Sequence, residues 1–555
     1  MDQSKSRLIT LILVIIVGAL TLGPATMLII GSFSEGFGAF GTLTFEKYAR
    51  VYSDPRLYGA LRNTLIFTFG SAILATTLAF GLAYLNHRTD VPFRGLLHLI
   101  PTIPMMIPHL AYGAAWAILL NPSNGIVNVF LRDVLGLGII NIYSLPGMVF
   151  IEGLLELPIA YLVIAPAMAS FDATMEEASW ICGVSPRKTM RKITLKMLLP
   201  AILAALTLAT VRSLSAFAIP SVLGFPNRID VLTTFVYRLV STGLFPDYGR
   251  AAAVGVNVLV SAVILVFVYR HYTATAERFV TIGGKGHKIH RMKLGKMRLP
   301  MGILALSLGI LLIIVPVIVL AYISVVPYIM PPGPKAFSML TLANWKAVLS
   351  EKITLVAFRN STFLALVGAT VGILLSTVVS YVIVRIRNAG STVLETLAFA
   401  SFGFPGLIIG IGFMWALVRT SLYATIWALL VGYVATYLPF GIRPLTSTFI
   451  QIDTDLESAS LVCGAGLFRT FRRVIAPLAL PGIISGWTMM AIMFVQELNL
   501  SVILARPGTE VLSVLTHRAV NDAFWGRVAT LGVIMIALSA VLLGLTRIFT
   551  RKFAS

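Results

Sequence analysis

A chain of 555 residues is long enough for several soluble domains, but its make-up excludes them: 57% of residues are hydrophobic, 12% are charged and the mean hydropathy is +0.91, whereas soluble domains carry about 25% charged residues. The apolar residues fall in blocks of roughly 20–26, each able to cross a hydrocarbon core about 30 Å thick. The net charge of +21 does not imply nucleic acid, because the Lys and Arg residues sit in short segments between apolar blocks, without the interleaved aromatics of a base-stacking surface.

Lipid offers the backbone no hydrogen-bond partners, so the blocks must be helices, and the short alternating segments of a barrel are absent. The first block follows Lys5-Ser6-Arg7 and runs to Ile30. It is long for a signal peptide and no small-x-small cleavage site follows, so it is read as an uncleaved span. Twelve spans are predicted: roughly 8–31, 61–85, 95–120, 145–169, 199–223 and 251–270, then 301–326, 360–384, 393–418, 422–446, 480–504 and 528–547. A first unit therefore covers 1–270, a basic linker 271–299, and a second unit 300–555. Pro101, Pro104 and Pro108 fall within the third block, where they can kink a helix.

Orientation follows from charge. Between Arg270 and Arg298 there are about eight basic residues against one acid, Glu277, and the loops around 187–196 and 469–473 and the tail 547–552 are also basic. All lie on one side in this count, which makes that side, with both termini, cytoplasmic. The linker sequence Gly283-Gly284-Lys285-Gly286-His287 lacks the Ser or Thr and the β-α context of a phosphate-binding loop, and no other such motif occurs. Cys182 and Cys463 each precede a glycine in the basic loops. A disulfide is not expected in the cytosol, and the ligands of a zinc site are missing.

The two halves repeat. Leu61-Arg62-Asn63-Thr64 opens the second span, and Phe358-Arg359-Asn360-Ser361 opens the eighth. Farther on, Glu176-Glu177-Ala178-Ser179-Trp180-Ile181-Cys182-Gly183 matches Glu457-Ser458-Ala459-Ser460-Leu461-Val462-Cys463-Gly464 without a gap. The first copy is about 16 residues longer between these landmarks, an excess placed at 121–144. Six spans per unit keep the topology, so the repeats are parallel. Within each loop, Thr174/Glu177 and Thr454/Glu457 have capping-box spacing. Gly183 and Gly464 mark a helix stop, and Ser185-Pro186 marks a restart. Basic residues alone would suit headgroup contact. Two copies with the same acid, Ala-Ser and Gly suit docking onto two copies of one partner.

These loops resemble the EAA loop of binding-protein-dependent ABC permeases, E-A-A-x-x-x-G followed by I-x-L-P. The first copy, at about 172–198, gives Glu177-Ala178-Ser179, Gly183, Ile193 and Leu195, with Lys196 where the family has Pro. The second, at about 452–478, keeps Gly464, Val474 and Pro477, with Ser458 at the usual Glu and Ala476 at the usual Leu. The Glu277–Gly286 linker and Asn141–Gly147 look like the ferric-iron branch of the fused, two-unit permeases. The resemblance implies an all-α polytopic membrane protein and assigns ATPase coupling to Glu176, Glu177, Ala178, Ser179, Gly183, Glu457, Ser458, Ala459, Ser460 and Gly464. It implies two copies of an ABC ATPase, which would use the ATP and Mg, one extracytoplasmic solute-binding protein, and surrounding lipid. No cofactor, metal or nucleic acid is expected on this chain.

Ionisable groups inside apolar runs are costly, about 2.5–3.5 kcal/mol each at the bilayer centre. Glu152, Glu156, Arg212 and Glu497 are therefore expected to face the bundle interior, and Arg443 to snorkel. Two readings stay open for the three acids: a transport pathway, or interhelical pairs. Ferric iron is the favoured cargo by resemblance. Thiamine, phosphonate, polyamine and sugar-phosphate carriers share the same machinery. An ion-coupled secondary transporter is a separate class, which uptake driven by a pH gradient without ATP would support. No Ser/His or His/Asp/Glu cluster at catalytic spacing suggests an enzyme.

Overall fold

In the computed structural model the described residues are 3–35, 42–100, 103–170, 174–241, 246–278, 291–386 and 388–554. Their regular structure is helical, apart from two isolated β-bridges. Among them, nine helices are long and apolar enough to cross a membrane: Arg7–Ser32, Pro55–Arg88, Leu145–Ser170 and Tyr248–Val268 in the first half, and Gly295–Ser324, Lys352–Arg385, Ile426–Gln451, Phe468–Gln496 and Trp525–Ile548 in the second. Two bent pairs, Pro186–Met197 with Leu199–Leu214 and Ala389–Gly403 with Gly406–Leu417, raise the count to eleven. The glycine-rich part of the linker, 279–290, lies outside the described residues.

The remaining predicted span, 95–120, is not one helix. It is split into Arg94–Leu99, the short turn Ile103–Met106 and the apolar helix His109–Leu119. Pro104 lies in the turn and Pro108 caps the last helix. A proline has no N–H to give and clashes with the preceding turn, so a closely spaced set ends a helix repeatedly. The counterpart in the second half breaks at Phe404-Pro405 with a 114° bend. The predicted fifth spans are also interrupted. Leu199–Leu214 stops short of 223, and the helix ending at Gln496 breaks at Glu497, whose ψ of 116° is extended, before Ser501–Leu504 resumes.

Within each half the second span packs along the fourth. Ala72, Ala75, Ala79 and Ala83 of the second span are fully buried in the first half. In the second half the Ser376 and Ser380 hydroxyls donate to the Leu438 and Ile442 carbonyls, at 3.4 and 3.3 Å. Small side chains and cross-helix hydrogen bonds bring membrane helices together where no hydrophobic drive exists. Between halves, the first span of each crosses to the third segment of the other. A Cβ on Gly412 would stand 2.1 Å from the Pro24 carbonyl oxygen, so this crossing requires glycine.

Repeat-equivalent ion pairs fasten the ends of the spans that lie opposite the two repeated loops. Asp54 caps the second span by accepting from the Arg56 N–H and pairs with Arg250 at 3.0 Å, while Glu351 pairs with Arg527 at the same place in the second half. The hydrogen bond from the Arg56 guanidinium, with a further one from Arg250, holds the Asp54 carboxyl at about 2. The unfolded value is about 3.9, so ionised Asp54 stabilises the fold above about pH 4, and that contribution is lost as pH falls through about 2. Melting of the detergent-solubilised protein should fall with acidity in this window more steeply for wild type than for Asp54→Asn. Parallel melting curves would refute the assignment.

Candidate coupling loops and transport pathway

The loop helices are Thr174–Ile181 and Thr454–Val462. The expected capping box does not form in the second copy. Asp453, one residue earlier, is the N-cap and accepts from the Asp455 N–H at 3.0 Å, and Glu457 turns instead toward Arg385. In the first copy Thr174 lies in the first helical turn, and residues 171–173 are outside the described residues. The glycine stops are as expected. Gly183 and Gly464 have φ of +77° and +80°. Each closes the same pair of bonds: Gly183 N–H to Trp180 O and Val184 N–H to Ser179 O, and Gly464 N–H to Leu461 O and Ala465 N–H to Ser460 O. This left-handed closure satisfies carbonyls that the helix end would leave open. Ser185 stands at the N-cap position before Pro186 without a hydroxyl cap.

After each glycine the chain passes through a wide π turn, Met190–Thr194 or Phe471–Ile475. Thr189 and Thr470 enter these turns, and their hydroxyls lie 2.9 Å from those of Ser179 and Ser460. The two loops are thus one structure built twice. They differ beyond the turn. The first bends by 68° near Leu198, just after Lys196, whereas the second runs on as a helix through Pro477 and Pro481.

The ten predicted coupling residues divide by direction. Glu176 points inward and is 2% exposed. Its carboxylate lies 3.6 Å from the Arg88 guanidinium and accepts from the Thr194 hydroxyl. Glu457 pairs with Arg385 at 2.6 Å and accepts from the Tyr381 hydroxyl at 3.2 Å. Arg88 and Arg385 each end a second span, so both acids fasten a loop helix to that span. Ala178, Ser458 and Ala459 are exposed, as are Gly183 and Gly464, while Glu177, Ser179 and Ser460 are half-buried. Ile181 and Val462, at equivalent positions, are both 87% exposed, and Met175 and Leu456 are exposed a turn and a half earlier. Sequence reading missed Arg88, Arg385, Thr189, Thr470, Ile181 and Val462. A signal existed, since Tyr84/Arg88 and Tyr381/Arg385 follow Asn63 and Asn360 at the same spacing.

Inside the bundle, Glu152, Glu156 and Glu497 are all buried. Arg212 pairs with Glu156 at 2.7 Å and lies within electrostatic reach of Glu152, of His109 and, across the halves, of Tyr437. The Tyr437 hydroxyl donates to Glu497, whose carboxylate also accepts from the N–H of Leu500, the residue just before the restarted helix, at 2.7 Å. Gln496 donates to the Met105 carbonyl at 3.1 Å, again across the halves. The repeat aligns Glu156 with Tyr437, so one polar layer is built from unlike residues of both halves. Arg443 is exposed and lies over the Phe399 ring at 5.3 Å. Among the described residues no three His, Cys, Asp or Glu side chains gather as a metal-binding group.

The chain is 24% identical over 522 residues to the ferric transport system permease protein FbpB of Actinobacillus pleuropneumoniae, covering 92% of this chain and 74% of that one. It is 22% identical over 497 residues to the Fe(3+)-transport system permease protein FbpB 2 of Haemophilus influenzae, covering 88% and 89%. It is 25% identical over 210 residues to the spermidine/putrescine transport system permease protein PotC of Haemophilus influenzae, covering 38% and 82%. Residues 71–278 and 368–555, more than half of the chain and one stretch in each half, match one family profile. The chain therefore belongs to the family of binding-protein-dependent transport system inner membrane components, carried here twice in one polypeptide.

Proposed function

We propose that this permease carries ferric iron across the inner membrane, receives it from one extracytoplasmic binding protein, and is driven by two copies of an ABC ATPase. The ATPases would hold the ATP and Mg and would dock on the loop helices, with the loop face and both termini cytoplasmic. The observation that carries the docking is the paired exposure of Ile181 and Val462. Each tips an apolar stripe, Met175-Ala178-Ile181 or Leu456-Ala459-Val462, on a helix ringed by exposed Arg187, Lys188, Arg469 and Arg472. An apolar stripe on a polar loop marks a protein contact. Helix-in-groove binding reads such residues as anchors.

Ile181→Asp with Val462→Asp should abolish co-purification of the ATPase and ATP-driven uptake, while the melting temperature stays within about a degree of wild type, because exposed substitutions shift stability by no more than about 0.5 kcal/mol. An intact complex in that double variant would refute the docking. The cargo rests on the two ferric-transport relatives, each matching nearly the whole chain. A polyamine is the second reading, favoured by the match to a spermidine/putrescine permease over 38% of the chain. Thermal stabilisation of the cognate binding protein by ferric iron, and not by spermidine, is the expected result.

A further inference from the structure

We propose that Tyr237 and His517, with Phe217, form the gate that closes the transport pathway on the face opposite the coupling loops. They lie on the helices Leu232–Ser241 and Leu512–Asn521, which connect the fifth and sixth segments of the two halves. Both helices sit at the far end of the second spans from Arg88 and Arg385. The Leu232 N–H donates to the Thr64 hydroxyl and the Leu512 N–H to the Ser361 hydroxyl, at 2.8 and 2.9 Å. Thr64 and Arg88 are 24 residues apart on one helix, or about 36 Å at 1.5 Å per residue.

The repeat makes Tyr237 and His517 equivalent. Each lies five residues after its bonded Leu N–H, and each precedes an arginine that pairs with an acid eight residues before that arginine: Arg238 with Asp230 at 2.7 Å and Arg518 with Glu510 at 3.9 Å. These equivalent side chains meet edge to face, ring centroids 5.4 Å apart. A residue that touches its own counterpart lies on the pseudo-twofold axis. A pathway shared by two halves runs along that axis. Phe217 completes the plug, 5.0 Å from Tyr237 and 5.3 Å from His517. Phe217 and His517 are 0% and 1% exposed, so the contact is closed to water.

The gate helices are also tied to the interrupted fifth segments. The Thr233 hydroxyl donates to the Ala216 carbonyl at 2.6 Å, and the equivalent Ser513 hydroxyl donates to the Glu497 carbonyl. Ala216 and Glu497 mark where those segments break, and Glu497 belongs to the polar layer on the same axis. Each fifth segment thus bears a coupling loop at one end and holds a gate helix at the other. Tilting the segment moves both. An edge-to-face ring contact is close enough to seal and weak enough to open.

The proposal rests on the transport reading but on no choice of cargo. The test starts from the full chain with Cys182→Ser and Cys463→Ser, reconstituted with its ATPase and binding protein. Tyr237→Cys with His517→Cys should be joined by a short, reducible thiol cross-linker in the absence of ATP. Joining should cut uptake below about a tenth, and reduction should restore it. Separately, Tyr237→Ala with His517→Ala should release trapped potassium and trapped spermidine from proteoliposomes about tenfold faster than wild type, without ATP or binding protein, as expected for a widened constriction. Uptake that survives complete cross-linking, or an alanine variant as tight as wild type, would overturn the gate. Loss of ATPase co-purification in either variant would count against the docking reading instead.

Discussion

Arg88→Met should lower stability by about 3–5 kcal/mol, the usual result of leaving one member of a buried ion pair without its partner. Arg88 and Glu176 are each 3% exposed at the side chain, so water cannot replace the missing cation. Thr194 would still donate to the carboxylate, and the Met168 carbonyl would lose the Arg88 donor it now has at 3.0 Å. Arg385→Met should cost less. Arg385 and Glu457 are 11% and 16% exposed, and the Tyr381 hydroxyl remains on the carboxylate. Adding Glu176→Gln to Arg88→Met should recover much of the loss, because no charge is then left buried. Melting of the solubilised protein checks all three variants. Equal losses from the two single arginine variants would show that burial is not what separates the two loops. ATPase hydrolysis that continues without uptake in Arg88→Met would mark the pair as the link between loop helix and second span.

What could be read from the chain in advance was whatever local chemistry decides. Apolar length gave the spans, Pro104 and Pro108 pointed to a kink where the third segment is broken outright, and Gly183 and Gly464 announced the helix stops, because each effect acts within a turn. The N-cap went wrong by one residue in the second loop. Asp453 and Thr454 are both good caps, and the choice was settled by Arg385, which draws Glu457 away from the helix start. The break at Glu497 carries no Pro or Gly. It exists because a carboxylate there can accept from Tyr437 and from the Leu500 N–H together, a tertiary arrangement that no local window contains. The resemblance groups Glu176 with its neighbours in sequence, and no local pattern announces that its side chain turns inward. Its own partner, Arg88, lies on another helix. The exchange of first spans between halves was likewise invisible, since the glycines that permit it, such as Gly412, look like any glycine in a membrane helix.

Arg212→Met is expected to have the second large effect, and it bears on the question the intramembrane acids pose. Glu152 and Glu156 lie one turn apart on the fourth span, both buried; Arg212 pairs with Glu156 and lies within electrostatic reach of Glu152. Side chains at that spacing are about 5–6 Å apart, so removing the guanidinium leaves two adjacent carboxylates uncompensated. A loss of about 3–5 kcal/mol and no uptake should follow. Arg212→Met with Glu152→Gln and Glu156→Gln separates the two readings. It removes both unpaired charges and should return most of the melting temperature. If the layer only packs the halves together, uptake returns with stability. If the layer handles cargo, uptake stays lost in a stable protein, because the charges themselves were needed. The second result is the one the asymmetry favours. The second half places Tyr437 where the first has Glu156 and fills its own layer with a neutral donor on Glu497. A pair kept for packing alone could have been neutral in both halves. The first half instead keeps two acids and a guanidinium beside the axis, where a buried charge is costly.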